Sequence, residues 1–131
     1  MARKVTLFSG QWADLPLKEL APMARDFGYD GLELACWGDH MDIDKAVRSK
    51  SYCEDVRALL EANGLGCWAL GNHLAGQLVC DNLDERHYAF APARCKGKPS
   101  AARRWAVEAQ KRAAKAAANM DIKVVSGFTG S

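Results

Sequence analysis

Lys4-Val5-Thr6-Leu7-Phe8-Ser9-Gly10-Gln11-Trp12-Ala13-Asp14 is the stretch on which the fold turns. The run from Lys4 to Gly10 is rich in β-branched and apolar side chains and ends on glycine, the pattern of a buried parallel strand. The turn after it has no G-x-G-x-x-G and offers no glycine cradle for a pyrophosphate. A dinucleotide-binding, doubly wound sheet loses its main support at this turn, and a barrel becomes the better reading of any strand and helix alternation downstream.

That alternation is present. Asp14 is placed to cap a helix with Pro16 in its first turn and Leu17, Leu20, Ala24 and Phe27 at helical spacing, closing at Gly28. Pro22 removes one backbone hydrogen bond inside it, which predicts a kink or a late start. Gly31-Leu32-Glu33-Leu34-Ala35-Cys36 reads as the second strand, in which Glu33 needs a partner, expected to be a basic residue of a neighbouring strand, with the other half of the barrel as an alternative source. Asp42-Ile43-Asp44 starts a short helical turn. Ser51-Tyr52-Cys53-Glu54 has capping-box spacing for a helix that carries Tyr52, Val56, Leu59 and Leu60 on one stripe and stops at Asn63-Gly64.

Leu65 to Leu70 is the third strand, followed by a long polar connection from Gly71 to Pro99, with a helical turn expected at Asp84-Glu85-Arg86-His87-Tyr88. The alanine-rich segment from Ser100 to about Asn119, with Trp105, Ala109 and Ala113 on one side, is the strongest helix signal in the chain. Ile122 to Gly127 is the fourth strand. The order βαβαβαβ, with right-handed crossovers, makes the sheet parallel. The expectation is an α/β chain in which residues 1–131 form one partial domain, the first half of a (β/α)₈ TIM barrel, since a complete barrel takes roughly 250 residues.

Composition narrows the function classes. With 49% hydrophobic and 26% charged residues the chain is an ordinary core-forming domain, and at net charge +2 with signs interspersed it has no basic face for nucleic acid. Arg103, Arg104, Lys111, Arg112 and Lys115 read as a solvated helix face with Glu108 among them. Cys36, Cys53, Cys67, Cys80 and Cys95 form no C-x-x-C pair and no secretory signal precedes them, so a reducing, cytoplasmic setting is expected, with Cys36 and Cys67 packed inside strands. No apolar run reaches the ~20 residues of a membrane span.

Thr6 to Asp14, Gly28 to His40, Gly71-Asn72-His73-Leu74-Ala75-Gly76-Gln77, Cys80-Asp81 with Asp84 to His87, and Val124 to Ser131 occur in an order that resembles the N-terminal half of the sugar phosphate isomerase/epimerase family, the xylose-isomerase-like TIM barrels. The resemblance implies a metal-assisted proton transfer next to a carbonyl. One divalent ion (Mn, Mg, Co or Zn) is then held by two Glu, one Asp and one His of later strands. No metal ligand and no catalytic carboxylate is therefore assigned within these residues, and Glu33 is expected to be structural. The chain is expected to self-associate or to pair with a C-terminal half, because strands one and four each leave an open edge.

The resemblance also directs attention to the C-terminal ends of the strands, where barrel enzymes build their pockets. The substrate-binding candidates are His73 first, then Trp12 after strand one, Trp37 and His40 on a rim shared with Asp39 after strand two, and Gln77. Phe128 and Thr129 are candidate pocket wall, and His87 with Asp84 and Arg86 is expected to pin the long loop. The expected ligand is a small sugar or sugar phosphate. Dehydratases of cyclic polyols and hydroxypyruvate-type isomerases share the superfamily. An apurinic-endonuclease-like zinc phosphodiesterase, which places a zinc-binding histidine after strand three, and an inactive self-associating half barrel are the alternatives of other classes.

Overall fold

The computed structural model describes residues 2–131. Strands β1 (Thr6–Phe8), β2 (Gly31–Ala35), β3 (Gly66–Gly71) and β4 (Val124–Ser126) form one sheet in the order β1-β2-β3-β4, with every neighbouring pair parallel. This order separates the two architectures that the alternation alone allowed. A doubly wound sheet reverses its strand order at a switch point, so that helices cover both faces; here each strand lies beside its predecessor, and right-handed crossovers keep the helices on one side. The chain is a parallel half barrel.

The helices are α1 (Leu17–Asp26), α2 (Ile43–Arg48), α3 (Lys50–Ala62), α4 (His73–Gly76) and α5 (Pro99–Asn119). Leu32, Leu34 and Leu70 point from the sheet into one core with Leu20 and Ala24 of α1, Val56 and Leu60 of α3, and Ala116 and Ala117 of α5. Each fully buried leucine stabilises the fold by roughly 1.5–3 kcal/mol. Ala102, Ala106, Ala109 and Ala113 are buried along α5, and their small side chains let this helix pack closely on its neighbours.

β3 contains a feature that the sequence pattern conceals. Leu32 pairs with Cys67 but Glu33 pairs with Ala69, so Trp68 is an extra residue, a β-bulge. The bulge resets the alternation, keeping both Cys67 and Leu70 on the helix side while Ala69 and Gly71 join Glu33 on the concave side. Trp68 folds over Gly31 and Gly66, where added Cβ atoms would meet its ring at 2.7 and 2.5 Å. It remains 45% exposed on the concave surface.

Several local expectations are corrected. Helix α1 begins at Leu17, flanked by Pro16 rather than capped by Asp14, and it continues through Pro22. The backbone N–H of Leu17 donates instead to Asp39 Oδ2 at 3.1 Å, which takes Asp39 off the pocket rim. Ser49, not Ser51, caps α3 by accepting from the N–H of Tyr52, whereas Asp42 caps α2 by accepting from that of Lys45. β1 and β4 are each shorter than the runs that suggested them, and Val5 lies outside β1, 57% exposed. The turn expected at Asp84–Tyr88 is a 3₁₀ turn at His87–Phe90.

The basic residues of α5 do not act as one face. Lys111 pairs with Glu108 at 2.8 Å, and Arg103 donates to the carbonyls of Val79 and Asp81. Arg112 Nε lies 3.1 Å from Asp44 Oδ1, an ion pair whose N–H is not aligned for a hydrogen bond.

Cys36 and Cys67 are half-buried against the core, and burial above all pushes their thiols up to about 12 and about 11, backbone hydrogen bonds from Leu34 and Ala69 partly offsetting it at Cys67. At pH 8 a thiol of pKa about 11 is roughly one part in a thousand thiolate, and only the thiolate attacks. Aromatic disulfide reagents at pH 8 are therefore expected to label exposed Cys80 rapidly and Cys36 and Cys67 only on unfolding, which peptide mapping of the native protein checks.

Candidate functional site

The concave side of the sheet, at the C-terminal ends of its strands, gathers four rings. Phe8, the last residue of β1, meets Trp37 edge-on at 5.7 Å and His73 at 4.8 Å; Trp37 and His73 are 6.4 Å apart, and Phe128 meets His73 at 5.1 Å. His73 thus stands at the centre of an aromatic group drawn from all four strand ends. It is positioned there because β3 runs straight into α4, whose first residue it is, and because its neighbour Asn72 is clamped. Asn72 donates to Gln110 Oε1 at 3.1 Å, and Gln110 donates back to the Asn72 carbonyl at 3.2 Å.

Below the rings lies a carboxylate. Glu33 accepts a short hydrogen bond at Oε1 from Ser126 Oγ of β4. Among the described residues Glu33 forms no ion pair, and its companion is a hydroxyl two strands away. Phe8, Glu33 and His73 close onto residue 71 because it is glycine. A Cβ there would stand 2.5 Å from Phe8, 2.9 Å from Glu33 Oε1 and 2.9 Å from His73 Cε1.

The other sequence candidates scatter. Trp37 joins the cluster. Trp12, in the 3₁₀ turn Ser9–Trp12, is half-buried against the main core instead. Gln77 borders a separate cleft of about 550 Å³ with Asp81, Arg86 and His87. His40 is not on the rim at all. It is fully buried, with Nδ1 2.9 Å from Ser9 Oγ and Nε2 3.0 Å from the Leu15 carbonyl. Since a carbonyl only accepts, Nε2 carries the proton and Nδ1 accepts from Ser9, whose oxygen in turn accepts from the N–H of Ala35. His40 therefore ties the β1 and β2 turns together and has no nitrogen left for a ligand.

His87 bridges Asp84 Oδ1 at 3.1 Å and Ser131 Oγ at 2.9 Å, pinning the long connection as its neighbours suggested. Arg86 beside Asp84 holds that carboxyl well below the usual carboxylate range. Among the described residues no three His, Cys, Asp or Glu side chains converge to hold a metal ion, and the neighbours of His73 are rings rather than further ligands. The residues present do not fit a divalent-metal site. No described helix is long and apolar enough to cross a membrane.

A parallel half barrel with an aromatic and polar cluster at its C-terminal strand ends has the architecture of barrel enzymes that act on small molecules. The family comparison agrees: the model of the xylose isomerase-like TIM barrel matches residues 22–131, and the chain belongs to that family. Among solved structures, a crystal structure of D-psicose 3-epimerase in the presence of D-fructose superposes with a TM-score of 0.52 at 16% identity. The match covers 95% of this chain and 37% of the epimerase, a likeness that shows the fold. Comparison with curated proteins gives no match.

Proposed function

We propose that this chain forms one wall of the substrate pocket of a sugar or sugar-phosphate isomerase/epimerase. In the complete barrel, a proton moves next to a carbonyl with a divalent metal held by residues of other strands. The observation that carries the reading is the His73-centred ring cluster above the Glu33–Ser126 pair. Aromatic edges and faces pack against the C–H surface of a sugar, while a few convergent polar groups fix its hydroxyls. Membership of the xylose isomerase-like family and the superposition on a ketose epimerase support the same class.

Binding and turnover separate the parts of this proposal. With a ketose titrated by NMR, the chain is expected to bind weakly and to produce no epimer or aldose with added Mg²⁺ or Mn²⁺. Trp37→Ala is expected to lower affinity about tenfold, the equivalent of one aromatic contact of roughly 1.4 kcal/mol. Turnover by this chain alone would mean that it contains the catalytic groups. Three tightly bound zinc ions would favour the phosphodiesterase class instead.

Pairing with a further half barrel belongs to the same proposal. β1 and β4 are the two edges of the sheet, and Val5, Val124 and Phe128 are exposed on or beside them. Unpaired edge strands flanked by apolar side chains seek partners. Sedimentation velocity is expected to show dimers or larger species, and a monomer with a cooperative melt would count against pairing.

A further inference from the structure

We propose that the cleft bordered by Gln77, Asp81 and Arg86 is a hydroxyl-reading subsite that accepts a neutral polyhydroxylated ligand and rejects its phosphate ester. The inference rests on the sugar reading and deepens it, by choosing the sugar over the sugar phosphate and by naming the groups that hold it. The cleft measures about 550 Å³, within the range of small-ligand sites. It adjoins the ring cluster along two segments. The loop after β4 carries Phe128 against His73 and, three positions on, Ser131 into the cleft, while α4 leads from His73 directly to Gln77.

The polar groups on the walls divide into those already engaged and those left free. His87 is engaged at both nitrogens, by Asp84 and by Ser131, and is buried. Half-buried Gln77 and more exposed Asn82 line the same cleft, and among the described residues neither side-chain amide has a protein partner. Asp81 accepts from the Ser131 N–H at Oδ2 and keeps Oδ1 for a ligand. Phe90 adds one half-buried ring. Each amide both donates and accepts, and the carboxylate only accepts. A hydroxyl does both, so a run of hydroxyls on neighbouring carbons matches this set, with Phe90 against the C–H surface.

Charge decides between the sugar and its phosphate ester. Arg86 is the one permanent cation on the walls, and Asp84 holds both its Nε and its Nη2, which leaves only Nη1 for a ligand. A guanidinium engaged in this way cannot also close on a phosphate as a bidentate pair. No lysine or arginine among the described residues pairs with Asp81, and His87 Nε2, 3.9 Å from it, is already directed at Ser131. The Ser131 hydroxyl and N–H hold the Asp81 carboxyl below the usual carboxylate range, so it is ionised at neutral pH. A phosphate ester carries close to two negative charges there and meets this carboxylate with no free cation to offset it. Neutral hydroxyls instead donate to the same oxygens. The selection is by repulsion of the wrong ligand.

NMR of the chain reads the two places separately. The side-chain amides of Gln77 and Asn82, assigned through Gln77→Ala and Asn82→Ala variants, report the cleft, and the His73 ring reports the aromatic wall. Titrated at neutral pH and low salt, D-fructose is expected to shift both amides, and D-fructose 6-phosphate to do so with an affinity about tenfold lower or less. Asp81→Asn, which keeps an acceptor for Ser131, is expected to bring the two affinities within about threefold of each other. Arg86→Gln, at an exposed side chain, releases Asp84 and is expected to widen the difference. A phosphate ester bound as tightly as fructose, or a ratio that neither variant moves, overturns the selection. Fructose shifts at His73 with both amides unmoved overturn the subsite and leave the proposed function standing. No response at either place overturns both.

Discussion

Replacing His40 by alanine is expected to lower folding stability by about 3 kcal/mol, because a buried hydroxyl and a part-buried carbonyl lose their partner at once and a cavity opens. The Leu15 carbonyl loses the Nε2 proton and Ser9 Oγ loses the Nδ1 lone pair. Leaving a buried polar group unsatisfied costs about 1–3 kcal/mol, and the lost volume of a fully buried side chain adds to it. Relaxation of the loop recovers part of the sum, which places the total near the stated figure. Urea melts are expected to show a lower midpoint at unchanged slope, with a fall in melting temperature of roughly 10 °C. His40→Gln, which keeps an amide able to donate to Leu15, is expected to restore part of the loss. An alanine variant within 1 kcal/mol of the parent would mean that the buried chain from Ala35 through Ser9 and His40 to Leu15 is dispensable. Sugar binding by a folded His40→Gln variant is expected to match that of the parent, since the ring reaches no ligand.

His40 also shows where sequence reading stops. A histidine after a strand in a glycine-containing loop carries no local sign of burial, and its partners, Ser9 and Leu15, sit 31 and 25 residues away. What was legible rests on short-range physics. The alanine stripe of α5, the Asn63-Gly64 stop and the Asp42 cap are written in residues within a turn or two of one another, and the structure keeps them. Where two local signals competed, the pattern could not arbitrate. Ser51 has capping-box spacing but lies inside α3, and Ser49 caps the helix because it starts at Lys50. The bulge at Trp68 was invisible because one extra residue in an apolar strand leaves the composition unchanged. Of the site, Trp37 and His73 were named from their places at strand ends, and Phe128 as pocket wall. Phe8 and the Glu33–Ser126 pair were not assigned to it, since that hydrogen bond spans 93 residues and depends on β3 lying between the two strands.

Gly71→Ala is the second large effect expected, and two opposing terms decide its sign. Alanine in a strand is favoured over glycine by roughly 0.5–1 kcal/mol through chain entropy. Against this, the new methyl would lie 2.5 Å from the Phe8 ring and 2.9 Å from both Glu33 Oε1 and His73 Cε1, closer than such atoms approach without displacement. Overpacking of this kind costs about 1–3 kcal/mol. Phe8 cannot simply swing away, because Trp37 and His73 hold its other sides. The net expectation is a loss of about 1–2 kcal/mol in chemical denaturation, with a larger consequence for the site than for the fold. Relief of these contacts would move Phe8, Glu33 or His73, so ketose binding is expected to weaken while far-UV dichroism is retained. The contrast with Gly76 makes the point sharper. A side chain there would run into the Phe128 backbone rather than into side chains, so Gly76→Ala is expected to displace the loop after β4 as a whole. If Gly71→Ala bound a ketose as well as the parent, the close packing of Phe8, Glu33 and His73 on Gly71 would not matter to the pocket wall, whereas weaker binding by a variant that keeps its far-UV dichroism would place the ketose against this cluster.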